Sequence, residues 1–192
     1  PVESDIYGIV PPMVTPFTDA DTVNLAAVAE DATYLVEEAN VHGLAVCGST
    51  GEGHAITTDE TRAITATVVE AVKDRVPVIT GIIANSTKAS VERGKAVADL
   101  GVAALQVTPV HYLFRPSDEA MVDHFRRLAE ETGLPVMIYN VVPWSYLSPA
   151  LLERIIDEVD GVIGVKQSAG DMKLLADLLV RASDRARIMS AV

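Results

Sequence analysis

The sequence predicts an α/β protein whose repeated βα units form a barrel, and three observations lead to this prediction. Of the 192 residues, 49% are hydrophobic and only 5% are aromatic, a composition typical of buried strands alternating with amphipathic helices. Short apolar runs recur at intervals of about 25 to 35 residues, the length of one βα unit. The dinucleotide fingerprint G-x-G-x-x-G is absent from the first βα turn, which weakens the competing interpretation, an open doubly wound sheet.

Seven apolar runs are predicted to be strands, each bounded by turn-forming residues. Continuous apolar runs of this kind are typical of parallel sheets, because helices cover both faces. A complete (β/α)8 barrel has eight strands and about 250 residues. We therefore expect one barrel domain over residues 1–192, truncated after the start of its seventh strand and incomplete at its C-terminus. The predicted strands are 9–14, 43–47, 76–83, 103–108, 136–140, 162–166 and 187–190.

The segments between these strands carry residues that start and stop helices. Thr57 and Glu60 have the spacing of a capping box, and Ser148 followed by proline is typical of a helix start. Gly101 and Gly133 are predicted to end the helices that precede them. The predicted helices cover residues 24–40, 57–72, 86–100 and 117–133, a segment beginning at 148, and residues 171–182.

Composition and charge exclude several classes of function. The formal net charge is −12, and no lysine- or arginine-rich tract occurs, which argues against a nucleic-acid partner. The single cysteine, Cys47, has no partner for an internal disulfide, and the first residues do not resemble a signal peptide. No run approaches the roughly 18 apolar residues of a membrane span. We expect a soluble, cytoplasmic protein without a membrane or nucleic-acid partner.

The chemistry of a parallel barrel lies at the carboxyl ends of its strands. A metal site there needs two or more His, Asp or Glu residues, and only Glu52 is clearly of this type, with His111 a few residues past another strand. The phosphate-loop motif is also absent. The sequence therefore predicts no metal site, no nucleotide hydrolysis and no cofactor. The strand ends instead supply hydroxyls, amides, one phenol and one amine, at Thr15, 48–52, Asn85, Thr108, Tyr139, Asn140 and 166–168.

Lys166 and Tyr139 are the candidate reactive groups. Three of the five lysines fall within predicted helices and Lys73 directly follows one, whereas Lys166 ends a buried strand. A desolvated lysine loses its proton more readily and can form a Schiff base with a carbonyl. Tyr139 ends the preceding strand, and a neighbouring phenol can shuttle protons. Two alternatives stay open: Lys166 marks the exit of a strand to solvent, and Tyr139 only packs its ring.

The glycine-rich segment 48–53 is a candidate binding loop. It is predicted to turn tightly after a strand and to expose backbone N–H groups together with the hydroxyls of Ser49 and Thr50. Such donors can hold a carboxylate without a buried cation. The alternative is a flexible surface turn, and Glu52 is interpreted as a structural carboxylate.

Several short motifs together resemble the dihydrodipicolinate synthase / N-acetylneuraminate lyase family of pyruvate-dependent class I aldolases. The resemblance covers nearly the whole chain. The motifs are Gly8-Ile9-Val10-Pro11-Pro12, Thr15-Pro16-Phe17, Gly48-Ser49-Thr50-Gly51-Glu52, Val107-Thr108-Pro109, Ile138-Tyr139-Asn140-Val141 and Gly164-Val165-Lys166.

The resemblance implies a (β/α)8 TIM barrel followed by a small helical region, commonly in tetramers built from dimers, with metal-independent chemistry. Lys166 would form the Schiff base with pyruvate or another 2-oxo acid, and Tyr139 would relay protons. Ser49 and Thr50 would hold the carboxylate of this substrate, and Thr50 would be the third catalytic residue beside Lys166 and Tyr139. The expected activity is that of a lyase that joins or cleaves a C–C bond between the 2-oxo acid and an aldehyde.

Two segments depart from the pattern of the lysine-pathway synthases. No arginine follows the Tyr-Asn strand end before Arg154, so the aspartate-semialdehyde reaction is in doubt, and a less acidic or bulkier aldehyde near Trp144 is expected. Either His111 or Tyr112 takes the place of the aromatic residue that joins the proton relay. The alternatives are a 2-keto-3-deoxy sugar acid dehydratase using the same imine, and a non-catalytic homologue that binds 2-oxo acids.

Overall fold

A computed structural model of the chain describes residues 6–191. Within these residues, six α-helices alternate with six β-strands that are hydrogen-bonded in chain order. The α/β prediction is confirmed. The helices are α1 Leu25–Glu37, α2 Thr58–Val72, α3 Thr87–Lys95, α4 Asp118–Thr132, α5 Pro149–Glu158 and α6 Met172–Ala182, and the strands are β1 Leu44–Val46, β2 Val78–Ile82, β3 Ala104–Val107, β4 Val136–Asn140, β5 Val162–Gln167 and β6 Arg187–Ser190.

The first predicted strand, 9–14, is not a strand in the structure. Pro12 makes only an isolated parallel bridge to Ala45, in which Met13 N donates to Ala45 O at 2.8 Å and Ala45 N donates to Pro11 O at 3.1 Å. Pro11 and Pro12 have no backbone N–H, so this segment lacks two of the donors that a longer ladder needs.

The third helix is shorter than the predicted 86–100, because α3 ends at Lys95. Beyond it the N–H groups of Val97 and Leu100 donate to the carbonyl oxygens three residues earlier, in tight turns. The carbonyl of Ala96, which would accept from Leu100 in a continued α-helix, instead accepts from the guanidinium of Arg62.

Most other helix ends follow the predicted signals, although α1 ends at Glu37 and not at residue 40. Thr57 and Glu60 form a complete capping box at the start of α2, and Ser117 and Ser148 accept hydrogen bonds from backbone N–H groups at the starts of α4 and α5. Gly133 ends α4 in the left-handed conformation, with φ 67°. These ends are local, so short sequence patterns were sufficient to locate them.

The described residues fall into two compact units, one of residues 6–83 with 92–105 and the other of 84–91 with 106–191. In the first unit, β1 pairs with β2 in parallel, and α1 and α2 pack together over an apolar core that includes Val28, Leu44, Ile64 and Val68. None of the helices in residues 6–191 is both long and apolar enough to cross a membrane.

In the second unit, β5 pairs in parallel with both β4 and β6. Its core is built from fully buried side chains of α4, β4 and α5, among them Phe125, Met137, Ile138 and Leu152. All five residues of β4 are buried, as expected for a strand covered on both faces.

A buried histidine connects three segments of the second unit. His124 of α4 is 1% exposed; its Nδ1 lies 3.0 Å from Thr87 Oγ1 and its Nε2 lies 3.2 Å from Thr108 O. Burial lowers the pKa of His124 to about 4, because the charged imidazolium would lose its hydration.

We therefore expect acid to destabilise the fold through His124. Between its unfolded pKa, near 6.5, and its folded pKa, near 4, the unfolded chain binds a proton that the folded chain does not. The free energy of unfolding should consequently fall by about 2 kcal/mol between pH 7 and pH 5 through this group. Urea unfolding at the two pH values measures this change, and the His124→Gln variant should show a correspondingly smaller difference. Equal pH dependence in both proteins would contradict the assignment.

Candidate active site

Tyr139 and Lys166 are brought side by side by the pairing of β4 with β5. The parallel register places Tyr139 opposite Lys166 and Asn140 opposite Gln167. The Nζ of Lys166 lies 4.4 Å from the centroid of the Tyr139 ring, which is within the range of a cation–π contact when the amine is charged. The two candidate reactive groups therefore share one neighbourhood at the carboxyl ends of adjacent strands.

Lys166 is half-buried and Tyr139 is buried. Burial lowers the pKa of the Lys166 ammonium, because desolvation disfavours its charged form. A larger fraction of the amine is then neutral near physiological pH, and a neutral amine is the form that attacks a carbonyl carbon.

Asn140 fixes the loop that follows β4. This fully buried residue donates from Nδ2 to Leu147 O at 3.0 Å and to Gln167 Oε1 at 2.8 Å, and its Oδ1 accepts from Leu147 N at 2.9 Å. It also accepts a backbone hydrogen bond from Ser168 N at 3.1 Å. In the sequence, Asn140 is identified only as a strand-end amide and as part of a family motif. The sequence feature that points to its role in fixing the loop is its position directly between Tyr139 and that loop.

The loops after β3 and β4 are hydrogen-bonded to each other. Trp144, in the short 3-10 turn Pro143–Ser145, donates from Nε1 to His111 O at 2.7 Å, and Ser145 Oγ donates to Val110 O at 3.2 Å. The His111 ring lies against Pro109 O, with Nδ1 at 2.9 Å. Trp144 and His111 are thus brought together through the backbone of His111.

The side chains of Tyr112 and Trp144 are 69% and 63% exposed. Within residues 84–91 and 106–191, no hydrogen bond joins His111, Tyr112 or Trp144 to Lys166 or Tyr139. The predicted place of His111 or Tyr112 in a proton relay stays a prediction.

Ser49 and Thr50 belong to the first unit, on the turn that follows β1. Both are exposed. Gly53 N donates to Gly48 O at 2.9 Å across the turn, and Thr15 Oγ1 donates to Gly51 O at 2.7 Å. Thr15 was predicted as a strand-end hydroxyl, and the structure shows that it supports this turn.

The turn is closely packed against the backbone of Cys47. A Cβ atom at Gly53 would lie 1.9 Å from Cys47 O, and one at Gly81 would lie 2.4 Å from the same oxygen. Cys47 and Glu52 have φ values of 56° and 54°, which are unfavourable for residues with a side chain. Burial raises the pKa of the Cys47 thiol to about 12, so the thiol stays protonated and unreactive.

A model of the dihydrodipicolinate synthetase family matches residues 5–191. The 4-hydroxy-tetrahydrodipicolinate synthase 1 of Halalkalibacterium halodurans is 39% identical over 177 residues, which cover 91% of this chain and 59% of the relative. The 4-hydroxy-tetrahydrodipicolinate synthase of Methanopyrus kandleri is 32% identical, with coverages of 97% and 63%.

Solved structures show the same similarity. A dihydrodipicolinate synthase from Bacillus anthracis has a TM-score of 0.86 and 32% identity, over 94% of this chain and 61% of that protein. An N-acetylneuraminate lyase from Mycoplasma synoviae has a TM-score of 0.86 and 26% identity, over 97% of this chain and 63% of that protein. The chain spans less than two thirds of the length of each of these relatives.

The Asn140→Asp variant tests whether the side-chain amide of Asn140 fixes the loop after β4. An aspartate would replace the Nδ2 donor with an oxygen that faces Leu147 O and Gln167 Oε1. We expect the free energy of unfolding to fall by about 3 kcal/mol, because two buried acceptors lose their donor beside a buried carboxylate. Urea denaturation measures the loss. Asn85→Asp, at an exposed asparagine, is the matched control and should change the free energy of unfolding little. Equal effects of the two variants would contradict this role of Asn140.

Proposed function

The chain belongs to the dihydrodipicolinate synthetase family, and we propose that its protein is a lyase that forms a Schiff base between Lys166 and pyruvate or another 2-oxo acid. The reaction joins or cleaves a C–C bond between this substrate and an aldehyde. The observation that carries the proposal is the half-buried amine of Lys166, held 4.4 Å from the ring centroid of Tyr139. We also propose that the whole protein forms a complete (β/α)8 barrel.

The proposed reaction begins at the neutral amine of Lys166. Its nitrogen attacks the ketone carbon of the 2-oxo acid to give a carbinolamine, which loses water to become a protonated imine. The positive nitrogen draws electrons from the adjacent carbon, so that this carbon loses a proton and an enamine forms. The enamine carbon then attacks the aldehyde carbonyl. Hydrolysis of the resulting imine releases the product and restores Lys166, and cleavage runs through the same steps in reverse.

Tyr139 is proposed as the proton relay of these steps. Carbinolamine dehydration needs a proton donor at the departing hydroxyl, and C–C bond formation needs one at the new alkoxide. A phenol can donate in each case and take the proton back later. The support for this role is the strand register, which keeps Tyr139 directly opposite Lys166.

We propose that Ser49 and Thr50 bind the carboxylate of the 2-oxo acid, and that Thr50 belongs to the catalytic set. Both side chains are exposed on a turn whose backbone is held by Thr15. Hydroxyl and N–H donors neutralise a carboxylate through hydrogen bonds, and no metal ion is needed for the proposed imine chemistry.

The second substrate is proposed to be an aldehyde that is less acidic or bulkier than aspartate semialdehyde. The segment 141–146, which follows Tyr139 and Asn140, contains no arginine, so it offers no charge-assisted partner for a second carboxylate. Trp144 is the large exposed side chain of this segment and is proposed to contact the aldehyde. One of His111 and Tyr112 is proposed to complete the proton relay, and the protein to act as a homodimer or homotetramer.

Reductive trapping tests the central step. Borohydride reduction in the presence of pyruvate should leave a stable adduct on Lys166, located by peptide mass mapping of the full-length protein. Lys166→Met should abolish the adduct. Lys173→Met should not, because Lys173 is an exposed lysine paired with Asp177. An unmodified Lys166 in the folded protein would overturn the proposed function, whereas an adduct without turnover would indicate a non-catalytic binding protein.

The Tyr139→Phe variant tests the proton relay. Loss of the hydroxyl with retention of the ring should lower kcat by about 100-fold or more, since general acid–base groups contribute rate factors of this size. Steady-state assays with a panel of aldehydes and 2-keto-3-deoxy sugar acids measure the effect, and they also separate aldol chemistry from dehydration. Tyr146→Phe, at a half-buried tyrosine of the same unit, should retain full activity. Equal kcat values for the two variants would exclude the relay.

A further inference from the structure

Arg93 is a half-buried arginine of α3 whose guanidinium binds three backbone carbonyl groups. Its Nη1 donates to Gly53 O at 2.8 Å and to Ile83 O at 3.1 Å, and its Nη2 donates to Ile56 O at 3.2 Å. Each of these bonds ends on a neutral oxygen. The planar guanidinium suits this task, because its donors are held in a fixed fork.

Other arginines of the first unit form ion pairs at the surface. Arg62 pairs with Asp99 and Arg75 pairs with Glu37. Arg93 differs because its guanidinium lies closer to the interior, where burial lowers its pKa. Removing a guanidinium from water is unfavourable, and the three carbonyl groups compensate for part of the lost hydration. The sequence alone indicates no role for Arg93, which lies within a predicted helix.

The three carbonyl groups belong to two segments that Arg93 joins. Gly53 ends the turn that follows β1, Ile56 lies three residues beyond it, and Ile83 directly follows β2. On the other side of the turn, Thr15 Oγ1 binds Gly51 O. Side chains from outside the turn thus bind the carbonyl groups of Gly51, Gly53 and Ile56.

The hydrogen bonds from Arg93 and Thr15 support a turn whose backbone conformation is locally unfavourable. Cys47 and Glu52 have positive φ values, and Gly53 approaches Cys47 O so closely that a Cβ atom has no space. Conformations of this kind persist only where surrounding contacts determine them. The bonds from Arg93 are such contacts, and the bond to Gly53 O lies at the end of the turn that carries Ser49 and Thr50.

We propose that Arg93 is a positioning residue for the turn 48–53, holding Ser49 and Thr50 in the arrangement that binds the carboxylate of the 2-oxo acid. The proposal rests on the proposed function for the role of these two hydroxyls. Arg93 acts through the turn and not by contact with the substrate. Its loss should therefore weaken substrate binding and leave Lys166 and Tyr139 chemically intact.

The test compares Arg93→Met and Arg93→Lys with the control Arg62→Met, all in the full-length protein. The first measurement is hydrogen–deuterium exchange of peptides that cover residues 48–56, which reports on the turn without requiring activity. Arg93→Met should accelerate exchange there by about tenfold or more, because local opening no longer breaks the three bonds. Arg93→Lys keeps the charge and part of the hydrogen bonding, so it should give a smaller increase and serves if the methionine variant does not fold.

The second measurement is the pyruvate concentration that gives half-maximal borohydride trapping on Lys166. It should rise by about tenfold in Arg93→Met, less in Arg93→Lys and not in Arg62→Met, while trapping at saturating pyruvate is retained. Unchanged exchange in the turn would overturn the positioning role. Accelerated exchange with unchanged half-saturation would overturn the link to carboxylate binding. If the wild type traps no pyruvate, the proposed function fails, and the exchange measurement alone decides whether Arg93 positions the turn.

Discussion

The parallel register of β4 and β5 is the constraint on which the candidate chemistry of the second unit depends. It sets Tyr139 opposite Lys166 and Asn140 opposite Gln167. Because side chains alternate between the two faces of a strand, a slip of one residue would exchange these pairs and put the amine and the phenol on opposite faces. The buried side chains of β4 oppose such a slip, since it would move apolar residues such as Met137 and Ile138 out of their packing.

Successive residues at the ends of β4 and β5 make different contacts. Tyr139 and Lys166 are the proposed reactive pair, whereas the next residues, Asn140 and Gln167, are hydrogen-bonded to each other at 2.8 Å. Asn140 also holds both backbone groups of Leu147. The alternation of side chains along the strands therefore separates the proposed reactive pair on one face from loop support on the other.

Side-chain donors that bind backbone carbonyl groups are a recurring means of fixing loops in this chain. Arg93 binds three carbonyl groups around the turn after β1, and Trp144 binds His111 O in the second unit. Such bonds restrain a loop without adding a strand or helix, and buried carbonyl groups need donors in any case. Loops that carry functional side chains on a rigid scaffold benefit from this restraint.

Local patterns in the sequence determined the parallel α/β class, most helix ends and the candidate pair Lys166 and Tyr139, because capping, periodicity and strand ends depend on neighbouring residues. Motif resemblance identified the family. The tertiary structure alone decided that 9–14 forms a bridge and not a strand, that α3 ends at Lys95, and that Asn140 and Arg93 hold loops. These features depend on contacts between residues far apart in the chain, such as Arg62 with Ala96 or Arg93 with Gly53. No local pattern records which distant carbonyl group a buried donor will reach.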